Sequence, residues 1–255
     1  MPYSRFAVVG THFLISAIVL GGLLLVMLLW WYPNGLFQVA GGWQGIRILA
    51  PIDLVLGPLL TLMFYRPFKK GVVRDLAVIA CVQVAALGYG LKAVYEQRPV
   101  VLVFAEGEFI AVTPPDRDDA NAALLAKSYQ PIDPAQLSSA RPAVVVAKPV
   151  PREEYASYVM SLFNDMPELA MRADRYEPLS AHSDLLVTAR VEAPEPDQRE
   201  SAAWFRLNSK FGKGLVKIDL TEGQLVASAS EPTLQLPQTQ ALQGSQSKGD
   251  SGHNP

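Results

Sequence analysis

The residues best placed to do chemistry lie inside an apolar run. Asp53 sits in RILAPIDLVLGPLLTLMFY, Arg47–Tyr65, a stretch long and apolar enough to cross a bilayer. A carboxylate at the centre of a membrane helix costs roughly 2.5–3.5 kcal/mol on insertion scales, so such a group faces protein or water rather than lipid. On a helix, Ala50, Asp53, Gly57 and Thr61 share one face, spaced by three, four and four residues, and the other faces carry Leu, Val, Met and Phe. A small-polar face of this kind lets a second helix approach closely and offers it hydrogen bonds. Pro51 and Pro58 each remove one i→i−4 bond, freeing the carbonyls of Arg47 and Leu54. Two roles for Asp53 follow: a charge used in function, or a polar pin for helix packing at a kink.

Other reactive groups are sparse. His12 and Ser16 share a helix face and read as a buried polar pair bonding a neighbouring helix, since no second ligand type lies nearby to make a metal site. The remaining histidines, His182 and His253, are far away in sequence. Cys81 is the single cysteine, so no intrachain disulfide forms; it lies in an apolar run and reads as a small buried hydrophobe. GxSxG, GxxxxGK[ST], HExxH and CxxC are all absent. Asp116, Asp118 and Asp119 fail as a Ca²⁺ loop, because the positions that need Gly and Glu hold Asn121 and Lys127. No cofactor is expected.

The elements that hold these residues follow from the apolar pattern. Residues 1–98 read as a three-helix transmembrane domain, with helices at about 7–31, 47–65 and 72–95. The first closes on Trp30, Trp31 and Tyr32, an aromatic belt, and its length and ending argue against a cleaved signal peptide. Pro33–Gly45 reads as a Gly-rich turn with Trp43 at the interface. In the third helix Asp75, Ile79, Gln83, Ala86 and Gly90 line one face. Gln83 needs a partner near mid-membrane, and matching depth suggests Asp53, directly or through water. Gly88 and Gly90, flanking Tyr89, suggest close helix approach on the far side. Arg98 at the membrane exit either binds an acidic group or simply ends the helix.

Charge sets the expected orientation. Arg5, Arg66, Lys69, Lys70 and Arg74 lie on one side of the helices and Arg47 alone on the other, which places the amino terminus in the cytoplasm and residues after about Tyr95 in the periplasm. Residues 1–98 hold 8 Lys+Arg against 3 Asp+Glu, and residues 99–255 hold 14 against 21. The acidic balance of the second part excludes nucleic acid as a partner, because phosphate binding needs clustered cations. Residues 99–236 read as a small α+β periplasmic domain. It has a β-hairpin at 100–104 and 109–113, a helix reaching Lys127 and a strand at 143–147. A helix at 152–163 and strands at 185–191, 204–207 and 215–220 complete it. The Gln/Ser/Gly/Pro-rich segment 237–255 reads as a disordered tail.

Several of these strings together resemble the TfpX/TfpZ family of type IV pilin accessory proteins. They are the HxxxS of His12–Ser16, WWYP at Trp30–Pro33, DLVLGPLLTL at Asp53–Leu62, Lys69-Lys70, RDL at Arg74–Leu76 and Gln83. ALGYG at Ala86–Gly90, RPV at Arg98–Val100 and VFAEGEF at Val103–Phe109 complete the set, which covers about residues 4–115. The resemblance implies a multi-pass inner-membrane protein without enzymatic activity. It would support pilin stability or pilus assembly beside its major pilin, and other assembly components are further candidate partners. Asp53, Gly57, Pro58, Thr61, Gln83, Tyr89 and Arg98 are the candidate partner-binding residues. Two competing functions are a membrane enzyme acting on pilin or a lipid-linked donor, and a periplasmic ligand sensor. Asp53 has no second acid, metal ligand or basic partner nearby in sequence for the first, and the cytoplasmic side has no output domain for the second.

Overall fold

The computed structural model describes residues 4–65, 71–192 and 201–230. The basic loop 66–70 and the tail 237–255 lie outside the described residues. Among the described residues three helical stretches are long and apolar enough to cross a membrane: Arg5–Trp31, Gly42–Phe64 and Val72–Glu96. The first is α1 (Arg5–Val26), N-capped by Ser4 through a bond from Ala7 N, and it ends in a π-helical turn, Met27–Trp31. A tight turn at Pro33–Gly35 leads into the short α2 (Leu36–Val39). The second stretch is α3 (Gly42–Pro51), a π-helical turn (Ile52–Leu56) and α4 (Gly57–Phe64). The third is α5 (Val72–Glu96).

Two sequence expectations change here. The second helix begins at Gly42 rather than near residue 47, and part of the expected turn is α2. The backbone disturbed by Pro51 and Pro58 is taken up as the π turn, in which Gly57 N donates to Ile52 O. α1 and α5 both pack on α4 and on the π turn, so the Asp53 helix is the centre of the trio. Close helix approach occurs at Gly45 and Gly90, among other glycines: a Cβ on Gly45 would lie 2.4 Å from Val94, and one on Gly90 2.3 Å from Leu49. Gly88 meets nothing. Cys81 is exposed on the outer surface of α5, not buried.

Beyond α5 the chain forms a mixed seven-stranded sheet. Its strands are β1 (Val101–Ala105), β2 (Glu108–Val112), β3 (Ala143–Ala147), β4 (Tyr176–Pro178), β5 (Ala202–Ser209), β6 (Gly212–Asp219) and β7 (Gln224–Ser230). Their order is β4-β3-β1-β2-β5-β6-β7. The β1–β2 hairpin closes on Glu106-Gly107, with φ of 53° and 91°, the left-handed pair a two-residue hairpin turn needs. β1 runs parallel to β3, and β2 parallel to β5. Three helices accompany the sheet: α6 (Pro114–Ala126), capped by Thr113, α7 (Tyr155–Leu162) and α8 (Ser183–Thr188). The expected strand at 185–191 is therefore wrong. Its first half is α8, and only Val191 makes a strand-like bridge, to Trp204. LLVTARV is too short a run for its periodicity to separate helix from strand.

Both faces of the central strands are buried, which explains their unbroken apolar runs. On one face Val103, Val145, Leu124 and Tyr176 pack together. On the other, Phe104, Phe109 and Phe205 meet edge-on, with ring centroids 5.2–6.2 Å apart. This second core does not stop at the sheet. It continues through Phe37, Leu36 and Tyr32 to Met27 and Leu20 of the first helical stretch. The turn after that stretch is latched to the sheet: Asn34 Nδ2 donates to Leu225 O (2.6 Å), Ser228 Oγ to Asn34 O (2.9 Å) and Ser209 Oγ to Val39 O (2.6 Å). Tyr32 Oη donates to Val94 O at 3.1 Å, tying the same turn to α5. Helices and sheet are thus joined through side chains as well as through the chain.

Candidate functional site

The polar residues of the three helical stretches converge on one cleft. It has a volume of about 670 Å³ and is lined by His12 and Ser16 of α1, Asp53 and Thr61 of the central stretch, and Gln83 of α5. Around them stand Ile15, Val19, Leu76 and Val84. Asp53, Thr61, Ser16 and Gln83 are buried, whereas Ile15 and Val84 are 57% and 70% exposed. The cleft therefore has a few polar groups at the floor of largely apolar walls and opens sideways between α1 and α5, towards the surroundings that the apolar outer faces meet.

Local sequence explains the geometry. The spacing of Asp53, Gly57 and Thr61 aligns them, and Gly57 supplies the gap into which the neighbours reach. A Cβ there would lie 1.9 Å from Gln83 Nε2 and 3.1 Å from His12 Nε2. Thr61 Oγ1 and His12 Nδ1 share a hydrogen bond of 2.7 Å, the interhelical bond expected of the His12–Ser16 pair. Gln83 differs. Its Nε2 is buried and has no hydrogen-bond partner, so the suggested direct bond to Asp53 is not made. An unpaired buried amide donor costs roughly 1–3 kcal/mol.

The other candidates fall elsewhere. Pro58 is buried behind Gly57 in α4, Tyr89 points outward at 80% exposure, and Arg98 lies at the junction with the sheet. There the Arg98 guanidinium stacks 3.5 Å from the Tyr95 ring and donates to Tyr95 O at 2.6 Å, so Arg98 ends α5. The structure brings Asp53, Gly57, Thr61 and Gln83 together and leaves Tyr89 and Arg98 out. It adds His12 and Ser16, whose i, i+4 spacing was the sequence signal for them. Sequence reasoning also missed that His12 is the basic neighbour of Asp53, across 41 positions.

The arrangement places hydrogen-bonding groups of three helical stretches in one cleft. No hydrogen bond links Asp53 to His12 among the described residues, so the Thr61–His12 contact does not extend into a nucleophile–base–acid relay. Among the described residues no three His, Cys, Asp or Glu side chains cluster closely enough to hold a metal ion.

The chain is 35% identical over 100 residues to the fimbrial assembly protein of serogroups C1 and C2 of Dichelobacter nodosus, covering 37% of this chain and 74% of that protein. It is 34% identical over 97 residues to the serogroup E1 fimbrial assembly protein and 35% identical over 100 residues to that of serogroup I, both of Dichelobacter nodosus. In each of these the match spans 38% of the relative's length. No protein-family model and no solved structure matches the chain. The chain belongs to the family of these fimbrial assembly proteins.

Proposed function

We propose that this chain is a non-catalytic accessory protein of the bacterial inner membrane that supports type IV pilin stability and pilus assembly by contacting the major pilin. The amino terminus is cytoplasmic and the sheet domain periplasmic, a reading supported by the five-to-one distribution of basic residues. That the relatives are fimbrial assembly proteins supports the process. The observation that carries the contact is the buried, unpartnered Gln83 amide in a cleft open sideways between apolar helices. A polar group carried on a neighbouring helix gains a partner there that lipid cannot supply.

The pilin, before assembly, presents an apolar helix and a soluble head. In this reading its helix lies along α1 and α5 over the cleft, while the sheet domain, latched to the helices, stands beside the head. Binding is reversible, in the manner of a chaperone: it protects the waiting subunit in proportion to occupancy and then releases it.

A photo-crosslinking residue at Ile15 or Val84 tests this, with Leu59, exposed but outside the cleft, as the control. Crosslinks to pilin should form from the first two positions and not from Leu59. Deleting the protein should lower pilin level or surface pili without changing pilin transcription. Unchanged pilin and piliation in the deletion strain, together with no crosslink from either cleft position, would end the reading.

A further inference from the structure

A second cleft, sharing no residue with the first, lies at the other end of the sheet. β1 starts at Val101, just after α5 ends at Glu96, while the far ends of β2's neighbours return to the helices: Ser209, at the end of β5, bonds Val39. β3 is parallel to β1, so Ala105 and Ala147 both end away from the helices, about 17 Å along five residues of strand. The crevice beyond the carboxyl ends of parallel strands is where open sheets gather ligands. Here it is a cleft of about 620 Å³.

Its lining is basic, aromatic and apolar. Arg190 and Arg206 face it, both exposed. Among the described residues, no ion pair involves either guanidinium. Among the described lining residues, Glu106 is the one carboxylate beside the two guanidiniums. Tyr158 is held in place because its Oη accepts from Leu169 N at 3.0 Å. Tyr155, 55% exposed, stands beside it with ring centroids 6.1 Å apart. Val150 and Leu185 supply apolar wall.

We propose that this cleft binds an acidic polypeptide segment, with Arg190 and Arg206 taking its carboxylates and Tyr155 and Tyr158 holding an adjacent apolar or aromatic side chain. Guanidinium–carboxylate pairing beside an aromatic platform is what such a lining offers. A lipid headgroup is the wrong source, because the cleft opens at the end of the sheet remote from the three long apolar helices. A nucleic acid needs a row of cations along its phosphates, and this lining offers two guanidiniums.

The test uses the full chain in detergent micelles and a short fluorescein-labelled peptide alternating Asp, Phe and Glu. A second peptide has Asn and Gln in place of the acids. Fluorescence anisotropy should show the acidic peptide binding about ten-fold more tightly than its amide counterpart. That preference should shrink as salt rises. The double variant Arg190→Ala/Arg206→Ala should erase it without changing thermal unfolding, since both side chains are exposed. Tyr155→Ala should weaken both peptides alike. Equal binding of the two peptides, no binding of either, or undiminished preference in the arginine double variant would each overturn the proposal.

Discussion

Replacing Gly57 by alanine tests the architecture of the membrane cleft most directly. The added Cβ would lie 1.9 Å from Gln83 Nε2, 2.8 Å from Gln83 Cδ and 3.1 Å from His12 Nε2, so the Gln83 amide must leave its present position. Overpacking of this kind costs about 1–3 kcal/mol. Alanine recovers up to about 1 kcal/mol through helix propensity, because Gly57 opens α4. The net expectation is destabilisation by about 1–2 kcal/mol, reported by unfolding in mixed micelles. Gln83→Ala removes the obstructing amide, so in the double variant Gly57→Ala should become neutral or stabilising. The coupling between the two positions should then be about 1–2 kcal/mol, well above the error for independent sites. Additive effects, or a Gly57→Ala variant as stable as the parent when Gln83 is intact, would refute the close approach on which the cleft depends. In cells the same pair separates packing from function. If the amide contacts the pilin, Gln83→Ala lowers piliation even when the double variant restores stability.

Further expectations follow from other sites. A periplasm-only reporter fused after Thr113 should be active and one fused at Lys70 silent; the reverse pattern overturns the proposed orientation. Asp53→Asn keeps shape and hydrogen bonding but removes the charge, so full piliation at normal protein level would leave only a packing role, whereas Asp53→Leu should impair both. Arg172 and Asp174 form a buried bidentate pair at 2.8 and 2.6 Å, with side chains 8% and 10% exposed, and the guanidinium also lies over Tyr129. Asp174→Ala strands that charge and should cost about 3–5 kcal/mol in chemical denaturation; a loss under about 1 kcal/mol would contradict the pairing. The His182 hydrogen bond at 2.5 Å, helped by Lys148 at 3.6 Å, holds the Glu177 carboxyl below its ordinary value against the opposing effect of burial. A lowered carboxylate stabilises the fold above its unfolded value, and the contribution disappears as pH falls through the folded one. The stability gap between parent and Glu177→Gln should therefore be full at neutral pH and close on acidification below the ordinary glutamate range.

What the sequence determined by itself was mostly local. Three apolar stretches, the aromatic ending of the first and the alignment of Asp53, Gly57 and Thr61 depend on side-chain type and helix period alone. The β1–β2 hairpin was legible because Glu-Gly between two apolar runs specifies its turn, and β3 because AVVVA between breaks has one natural reading. β5 was expected two residues short at each end and β6 three residues short at its start, since the Ala, Asn, Ser, Gly and Lys residues there carry little strand signal and are in strands because they pair with each other. Tertiary structure decided the rest. β4 is three residues long and exists only because β3 lies beside it, and β7, QLVASAS, is a strand because β6 and the Asn34 turn hold it. The apolar run at 185–191 became α8 because short runs carry no decisive period. Neither cleft could be read from the chain, because His12 meets Thr61 across 49 positions, and Tyr158 and Arg206 line one crevice from distant elements. The unpaired Gln83 amide illustrates the limit: burial and need for a partner follow from the sequence, but whether that partner is internal is settled only by which atoms the packed helices bring within reach.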